Sequence, residues 1–411
     1  MRFIYSVLIR IIGAVLHLTT LFSSKMKLFV NGRKDVWKVL KPLQGQSVVW
    51  FHCASLGEYE QGLPVMEQFK KEYPHYKLLV TFFSPSGYEN KKNNTIADVT
   101  TYLPLDTTSN DRRFLRIANP SLAIFVKYEF WPNYLLALQK QAIPTILISA
   151  LFRKKQVFFR PYGGWMRRAL HSFSHIFTQD KNSAQLLQSI GFNHVTVSGD
   201  TRYDRVSHQI EVDNHIDFID DFKQDNLCVV AGSTWPEDEA ILIDYINNAP
   251  ENVKFIIAPH NLKEAQITAL VRQLTPKTIR FTQLNDTDKT QAQVFILDTI
   301  GLLKKVYSYA DVAYVGGAMG ATGLHNILEA ATFGVPIVIG KNFSKFPEAI
   351  ALQHRAGLFS VSDKKELHEI FDKLLTNQKF RERTGMICGH FVQQRTGATQ
   401  AVMTYLRQEI V

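Results

Sequence analysis

The 411-residue sequence has only three cysteines, Cys53, Cys228 and Cys388, which are far apart and lack metal-ligand spacing. A disulfide framework and a zinc site are both excluded, and the count suits a reducing compartment. There is no internal repeat and no biased segment, which rules out collagen-like, solenoid and low-complexity architectures. With 45% hydrophobic residues the chain is too apolar to be disordered, and its length suits two domains. No glycine-rich turn runs into Gly-Lys-Ser/Thr, so there is no P-loop, and no Gly-x-Gly-x-x-Gly turn follows the first strand. The Asp and His residues are scattered and form no metal-binding cluster. Acidic residues are scarce in one half only. Residues 1–205 carry 27 Lys and Arg against 13 Asp and Glu, whereas the remainder carries 20 against 24. A one-sided basic field calls for an anionic partner, nucleic acid or an anionic lipid surface.

The first 22 residues choose between those partners. Residues 3–22 are long enough to cross a bilayer but contain Arg10 and His17. Arg2, Ser6, Arg10, Gly13, His17 and Thr20 recur at helical spacing and form one polar stripe opposite Ile, Leu, Val and Phe. The pattern predicts a helix lying in the membrane interface, because a spanning helix would bury Arg10 near the midplane at about 2.5–3.5 kcal/mol. A single tilted span and an ordinary core helix are the alternatives. The basic tract Lys25, Lys27, Arg33, Lys34, Lys38 and Lys41 supports membrane contact at roughly 1 kcal/mol per residue. A second basic and aromatic run lies between Arg153 and Arg168.

From residue 46, short apolar runs alternate with amphipathic stretches, the mark of parallel sheets with crossover helices. Strands are predicted at 47–53, 77–83, 122–127, 145–149, 175–178 and 195–197, then at 227–231, 253–258, 294–297, 312–315 and 336–339. The expected division is a membrane-interface helix and basic tract (1–42), a Rossmann-like domain (43–205), a linker (206–225), a second Rossmann-like domain (226–385) and a C-terminal helix (386–411). Ligands of such sheets bind beyond the carboxyl ends of the strands. Ser55, Gly57 and Glu58 follow the first strand, Ser86 the second, and Glu129 the third. Glu58 is a candidate base for an acceptor hydroxyl, and equally an acidic residue favoured by a helix dipole. Glu129 supplies a second carboxylate at another strand mouth. In the second half, the glycine-rich run 314–340 should end a strand at Val315 and start a helix near His325 or Asn326, offering free N–H groups to a phosphate. Glu329 would then reach ribose hydroxyls. Tight helix–sheet packing is the alternative reading of those glycines.

The ordered set Ser55-Leu56-Gly57-Glu58, Ser84-Pro85-Ser86-Gly87, Tyr102-Leu103-Pro104-Leu105-Asp106, Glu129-Phe130-Trp131-Pro132-Asn133, Gly199-Asp200-Thr201-Arg202-Tyr203-Asp204, Gly232-Ser233-Thr234 and His325-Asn326-Ile327-Leu328-Glu329 resembles the 3-deoxy-D-manno-octulosonic acid (Kdo) transferases of lipopolysaccharide synthesis. The resemblance runs from the N-terminal helix to about residue 360. It implies an α/β fold of the GT-B type, with two facing Rossmann-like domains and parallel sheets. It also implies inverting, metal-independent transfer of Kdo from CMP-Kdo to the lipid A precursor at the cytoplasmic face of the inner membrane, by a monomer without a cofactor. Carried over, Glu58 matches the general base, Glu129 a second essential acid, and Arg202 a cation where many members have Lys. Donor contacts map to Pro259, His260, Ile300, Gly301, Leu302, Gly317 and the run Asn326, Ile327, Leu328 and Glu329. The usual Pro-Arg-His reads Ala258-Pro259-His260, the usual Gly-Gly-Ser reads Gly316-Gly317-Ala318, and a usual Pro is Ile327. A UDP-sugar glycosyltransferase and a non-catalytic membrane-binding protein are the competing readings; nucleic acid is disfavoured because no binding motif accompanies the charge.

Overall fold

The computed structural model describes residues 2–284 and 289–409; the side chain of Arg2, first in the expected polar stripe, lies outside the described residues. The chain forms two compact units, Met1–Arg205 with Arg395–Val411, and Val206–Gln394.

The first unit is built on a seven-stranded parallel sheet of β1 (Val48–Cys53), β2 (Lys77–Phe82), β3 (Val99–Tyr102), β4 (Pro120–Val126), β5 (Thr145–Ala150), β6 (His175–Thr178) and β7 (Val195–Val197), in the order β3-β2-β1-β4-β5-β6-β7. All six residues of β1 are buried, because helices cover both faces of a parallel sheet. Alternate side chains enter opposite cores: Val48 and Trp50 join Phe114, Phe125 and Tyr134, while Val49, Phe51 and Cys53 join Tyr59, Phe69 and Phe82. The second unit repeats the plan with β8 (Leu227–Thr234), β9 (Val253–Pro259), β10 (Thr278–Arg280), β11 (Val294–Ile296), β12 (Val312–Val315), β13 (Ile337–Gly340) and β14 (Leu358–Val361), in the order β10-β11-β9-β8-β12-β13-β14.

Three strands escaped the sequence pattern, β3, β10 and β14, and each is a sheet edge. Their sequences, VTTY, TIR and LFSV, are short and only partly apolar, as suits strands with one neighbour. Each sheet has one point where the direction of strand addition reverses next to its first strand, between β1 and β4 and between β8 and β12. Ligands of open α/β sheets bind at such switch points.

Residues 206–225, expected as a linker or bridging helix, are largely helical and packed. They hold the end of the helix Thr201–Glu211 and the helix Asp217–Lys223, whose Phe218 and Phe222 rings meet Phe295 of β11 at 5.6 and 5.5 Å. The stretch 386–411, expected as one helix, is broken at Gly397, where φ is +107°. The helix Gln378–Gln393 ends before it, and Ala398–Glu409 begins after it. The latter buries Val402, Met403 and Leu406 in the core of the first unit, and its first turn is held by Asp204, which accepts from Thr399 N at 2.6 Å and Thr399 Oγ1 at 2.8 Å. Its far end is fixed by the paired contacts of Arg407 with Glu72 at 2.8 and 2.5 Å.

The N-terminal helix Arg2–Thr19 follows the expected stripe in part: Ser6 and Gly13 face the first unit, whereas Arg10 and His17 are exposed. Ser6 is buried against the first unit, and Gly13 allows close approach, since a Cβ there would lie 2.9 Å from Leu105 Cδ1. Phe3, Ile4, Leu8, Ile11, Ile12, Val15 and Leu18 point away and are exposed. No described helix is long and apolar enough to cross a membrane.

Candidate active site

In the first unit the switch point is lined by the segments after β1 and β4. Ser55 is the N-cap of the helix Leu56–Glu72, and Glu58 at its third position closes a capping box: Glu58 Oε2 accepts from Ser55 N at 3.0 Å and from Ser55 Oγ. The helix-dipole reading of Glu58 is therefore real, and it does not exhaust the carboxylate, because Oε1 takes no hydrogen bond among the described residues. Gly57 is exposed. Ser86, whose Oγ pairs with Ser84 Oγ at 2.8 Å, lies beside Ser55 because Gly87 has no side chain; a Cβ on Gly87 would meet the Ser55 carbonyl carbon at 3.0 Å.

Glu129 is reached through a backbone turn. Lys127, the residue after β4, has φ +68°, a conformation costly for a side-chain-bearing residue. Ser149 at the end of β5 (φ +50°) and Ser233 near the end of β8 (φ +54°) share it. Such strain concentrated at strand mouths is typical of functional sites. Glu129 itself is almost fully buried, and its Oε2 accepts from Trp131 Nε1 at 2.7 Å and from His52 Nε2 at 3.1 Å. His52 is completely buried in β1, and its Nδ1 lies 2.8 Å from Thr81 Oγ1, which accepts from Trp50 Nε1 at 2.7 Å. One proton assignment satisfies the chain: Trp50 donates to Thr81, Thr81 to His52 Nδ1, and His52 Nε2 to Glu129. His52, Thr81 and Trp50 carried no signal in the sequence, since a polar residue inside an apolar strand reads as an interruption.

Two neighbours tie the groups together. Burial pushes the Cys53 thiol well above its usual range, and the charges of Glu58 and Glu129 push it further. Burial also raises the Tyr128 hydroxyl, with Arg153 opposing, Glu58 adding and Arg202 opposing. Glu58, Glu129 and Arg202 thus share one electrostatic neighbourhood. Arg202 is gripped by Asp200, whose Oδ2 accepts from its Nε at 2.9 Å and whose Oδ1 accepts from its backbone N at 2.9 Å and from Gln61 Nε2 at 2.9 Å.

In the second unit three rings stack at the ends of β8, β9 and the loop after β12. Trp235 lies on His260 at 4.6 Å and 20°, and His260 on His325 at 4.6 Å. Trp235 Nε1 donates to His325 Nε2 at 3.1 Å, which requires an unprotonated Nε2 and puts the ring proton on Nδ1. Burial, then the neighbouring His260, lowers His325 to about 4. Because the native value lies below that of an unfolded imidazole near 6.5, this neutral histidine supports stability fully above pH 6.5 and loses that support as pH falls toward 4. The expected result is a wild-type melting temperature that drops faster between pH 6.5 and 4 than that of His325→Gln, by the equivalent of roughly 1–3 kcal/mol, measured by thermal denaturation across pH.

The glycine turn departs from expectation. The helix after it begins at Leu328 rather than near His325, and Leu328–Ala331 is a single turn. Leu328 N is already bonded to Asn326 Oδ1 at 3.2 Å, and Asn326 Nδ2 donates to Glu329 Oε1 at 3.2 Å. The N–H groups of the turn are also largely taken. Asp238, fully buried, accepts from Gly317 N at 2.8 Å, Met319 N at 3.3 Å, Trp235 N at 2.9 Å and Tyr314 Oη at 2.8 Å. The turn is wrapped around a carboxylate of the protein, a role that its position in an acidic helix start, Pro-Glu-Asp-Glu, did not single out. Gly317 (φ +94°) is required here, since a Cβ would also run into Gly323 and His325.

Pro259 ends β9 next to His260. Ile300, Gly301 and Leu302 follow β11; Ile300 is 87% exposed, and among the described residues none of the three hydrogen-bonds to His260 or Glu329. They connect indirectly: the helix after them leads to Tyr307, whose hydroxyl abuts Gly232 and is raised by burial and then by Glu329. Of the sequence-predicted donor residues, Asn326, Leu328 and Glu329 bond to one another, His260 meets the adjacent His325, and Ile300 to Leu302 form a separate turn.

A family model described as 3-deoxy-D-manno-octulosonic-acid transferase matches residues 30–205, and one described as glycosyl transferases group 1 matches residues 280–386. The 3-deoxy-D-manno-octulosonic acid transferase of Haemophilus influenzae is 28% identical over 380 residues, covering 89% of this chain and 87% of that one. Among solved structures, the UDP-GlcNAc 2-epimerase of Neisseria meningitidis bound to UDP-GlcNAc superposes with TM-score 0.62 at 17% identity, covering 89% of this chain and all of that one. MurG of Acinetobacter baumannii superposes with TM-score 0.54 at 14% identity, covering 88% and 99%. These structural likenesses establish the α/β GT-B fold.

Proposed function

This chain belongs to the Kdo transferase family, and on that premise we propose that it moves Kdo from CMP-Kdo to a hydroxyl of the lipid A precursor, with inversion and with Glu58 as base. The observation that carries the assignment of roles is the Glu58 carboxylate, fixed through one oxygen by Ser55 with the other unbonded, in the shared field of Glu129 and Arg202.

In the proposed step Glu58 takes the proton of the acceptor hydroxyl, the acceptor oxygen bonds to the anomeric carbon of Kdo, and the bond from that carbon to the CMP phosphate oxygen breaks. A positioned carboxylate suits a hydroxyl that is a poor nucleophile on its own. Glu129, held by His52 and Trp131, is a fixed acceptor for an acceptor-sugar or Kdo hydroxyl. Arg202 supplies positive charge and, clamped by Asp200, needs little reorganisation when negative charge develops. In the second unit the Trp235, His260 and His325 rings offer a neutral aromatic surface suited to a nucleobase, and the Glu329 carboxylate, which accepts from Asn326, is the proposed acceptor for ribose hydroxyls. The displaced start of the helix at Leu328 and the occupied N–H groups of the glycine turn move the phosphate contact away from Gly317, toward positions whose N–H groups Asp238 does not use.

Membrane contact is part of the same reading. The exposed apolar face of Arg2–Thr19 and the basic excess of residues 1–205 suit a helix seated in an anionic interface, where an acylated and phosphorylated acceptor resides.

The test is transfer from CMP-Kdo to purified tetraacyl lipid A precursor in detergent, with EDTA present and product masses resolved. A mass increment of one or more Kdo units is expected; a folded protein that transfers nothing from CMP-Kdo but does so from a UDP-sugar would overturn the donor assignment.

A further inference from the structure

The N-terminal helix does more than lie beside the first unit: two of its side chains enter the hydrogen-bond network that starts the helix Pro132–Lys140, directly after Glu129. That helix has no capping side chain of its own at Trp131. Its first N–H groups are taken by Asp106 from the loop after β3, whose Oδ2 accepts from Asn133 N at 3.1 Å and whose Oδ1 accepts from Tyr134 N at 3.0 Å. Tyr5 Oη donates to the same Asp106 Oδ2 at 2.9 Å, and Asn133 Nδ2 donates to Ser6 Oγ at 3.1 Å and to the Asp106 carbonyl at 2.7 Å. Ser6, Asp106 and Asn133 are buried, and the Tyr5 ring is held against Trp165 at 5.5 Å.

We propose that Tyr5 and Ser6 are positioning residues for catalysis: by closing the Asp106–Asn133 clasp they hold the segment 128–133 in the conformation that presents Glu129, so seating of the N-terminal helix and activity are coupled. The proposal rests on the transferase reading above. Its physical basis is that buried polar groups left unpaired are costly and the segment moves to recover partners. Without Tyr5 and Ser6, the Asp106 carboxylate that holds Asn133 N and Tyr134 N, four and five residues after Glu129, loses a donor, and the Asn133 amide loses one of its acceptors. The same helix turns its apolar residues, Leu8 and Ile12 among them, outward. Among these, Ile11 and Leu18 lie on the side of the helix away from both Tyr5 and Ser6, so separate substitutions can isolate membrane seating from the clasp.

The experiment uses the full-length chain with Tyr5→Phe and Ser6→Ala, singly and combined, assayed in detergent at saturating acceptor, with amide hydrogen exchange followed over residues 128–135. The double variant is expected to lose about tenfold in kcat with KM for CMP-Kdo unchanged, and to exchange faster in that segment. Ser6→Thr, which keeps the acceptor oxygen, is expected to retain activity. Ile11→Ser with Leu18→Ser is expected to reduce flotation with anionic vesicles while leaving kcat in detergent and the exchange unchanged. Unchanged kcat in the double variant, with or without faster exchange, overturns the coupling. If the wild type transfers no Kdo, the transferase reading fails separately: faster exchange in the double variant would still support the clasp, and unchanged exchange would overturn it.

Discussion

Glu58→Gln is expected to lower kcat by roughly 10²–10⁴-fold with little change in stability or in KM for CMP-Kdo. The two effects separate because the carboxylate has two duties on two oxygens. The capping duty, accepting from Ser55 N, survives in glutamine, whose amide oxygen also accepts. Removal of the acceptor proton does not survive, since a neutral amide is no base. Glu58→Ala should add a loss of about 1 kcal/mol in stability from the broken capping box, which denaturant unfolding resolves. A Glu58→Gln protein that transfers Kdo at the wild-type rate would show that the carboxylate is only a cap. A loss of kcat matched by an equal loss of stability would show the same.

Asp238→Ala is expected to destabilise the protein by about 3–5 kcal/mol and to raise KM for CMP-Kdo sharply. The carboxylate is fully buried and accepts three backbone N–H groups and the Tyr314 hydroxyl. Truncation leaves the buried Gly317 N and Tyr314 hydroxyl and the partly buried Trp235 N and Met319 N without this acceptor, which costs more than the net value of the bonds themselves. It also releases Gly317 and Met319, and with them the turn that carries His325 into its stack with His260. Asp238→Asn keeps acceptor oxygen but turns an NH₂ toward groups that are themselves donors, so an intermediate loss is expected. Denaturant titration and donor-dependent kinetics on the two variants check this. Equal stability of wild type and Asp238→Ala would contradict the network.

Much of the architecture was legible because burial on both sides writes continuous apolar runs into central parallel strands. The runs at β1, β5, β8 and β12 could be read within a residue or a few of their ends. Three of the four edge strands could not, since β3 reads Val-Thr-Thr-Tyr and β10 Thr-Ile-Arg, patterns that loops share, whereas the edge strand β7 was legible at 195–197. Within the site, Glu58 was visible as an acidic residue favoured by a helix dipole, and of the polar stripe on the first helix Ser6 and Gly13 face inward while Arg10 and His17 are exposed. The glycine turn was visible as glycines but was misread, because flexibility marks where backbone can approach and is silent on what it approaches. Here that is Asp238, 79 residues away from Gly317.

What the sequence determined by itself was therefore what depends on short-range spacing: the two parallel α/β units, the placement of Glu58 at a helix start, the amphipathic first helix and the ordered motifs of the family. Only the tertiary structure decided which partners each polar group finds across long separations. Glu129 is held by His52, the Glu129 segment by Asp106 and Tyr5, the glycine turn by Asp238, and the last helix returns to the first unit through Asp204. The reason is that a buried hydrogen-bonding group must be satisfied but leaves the identity of its partner open; local periodicity fixes the need, and the packing of distant segments fixes the answer.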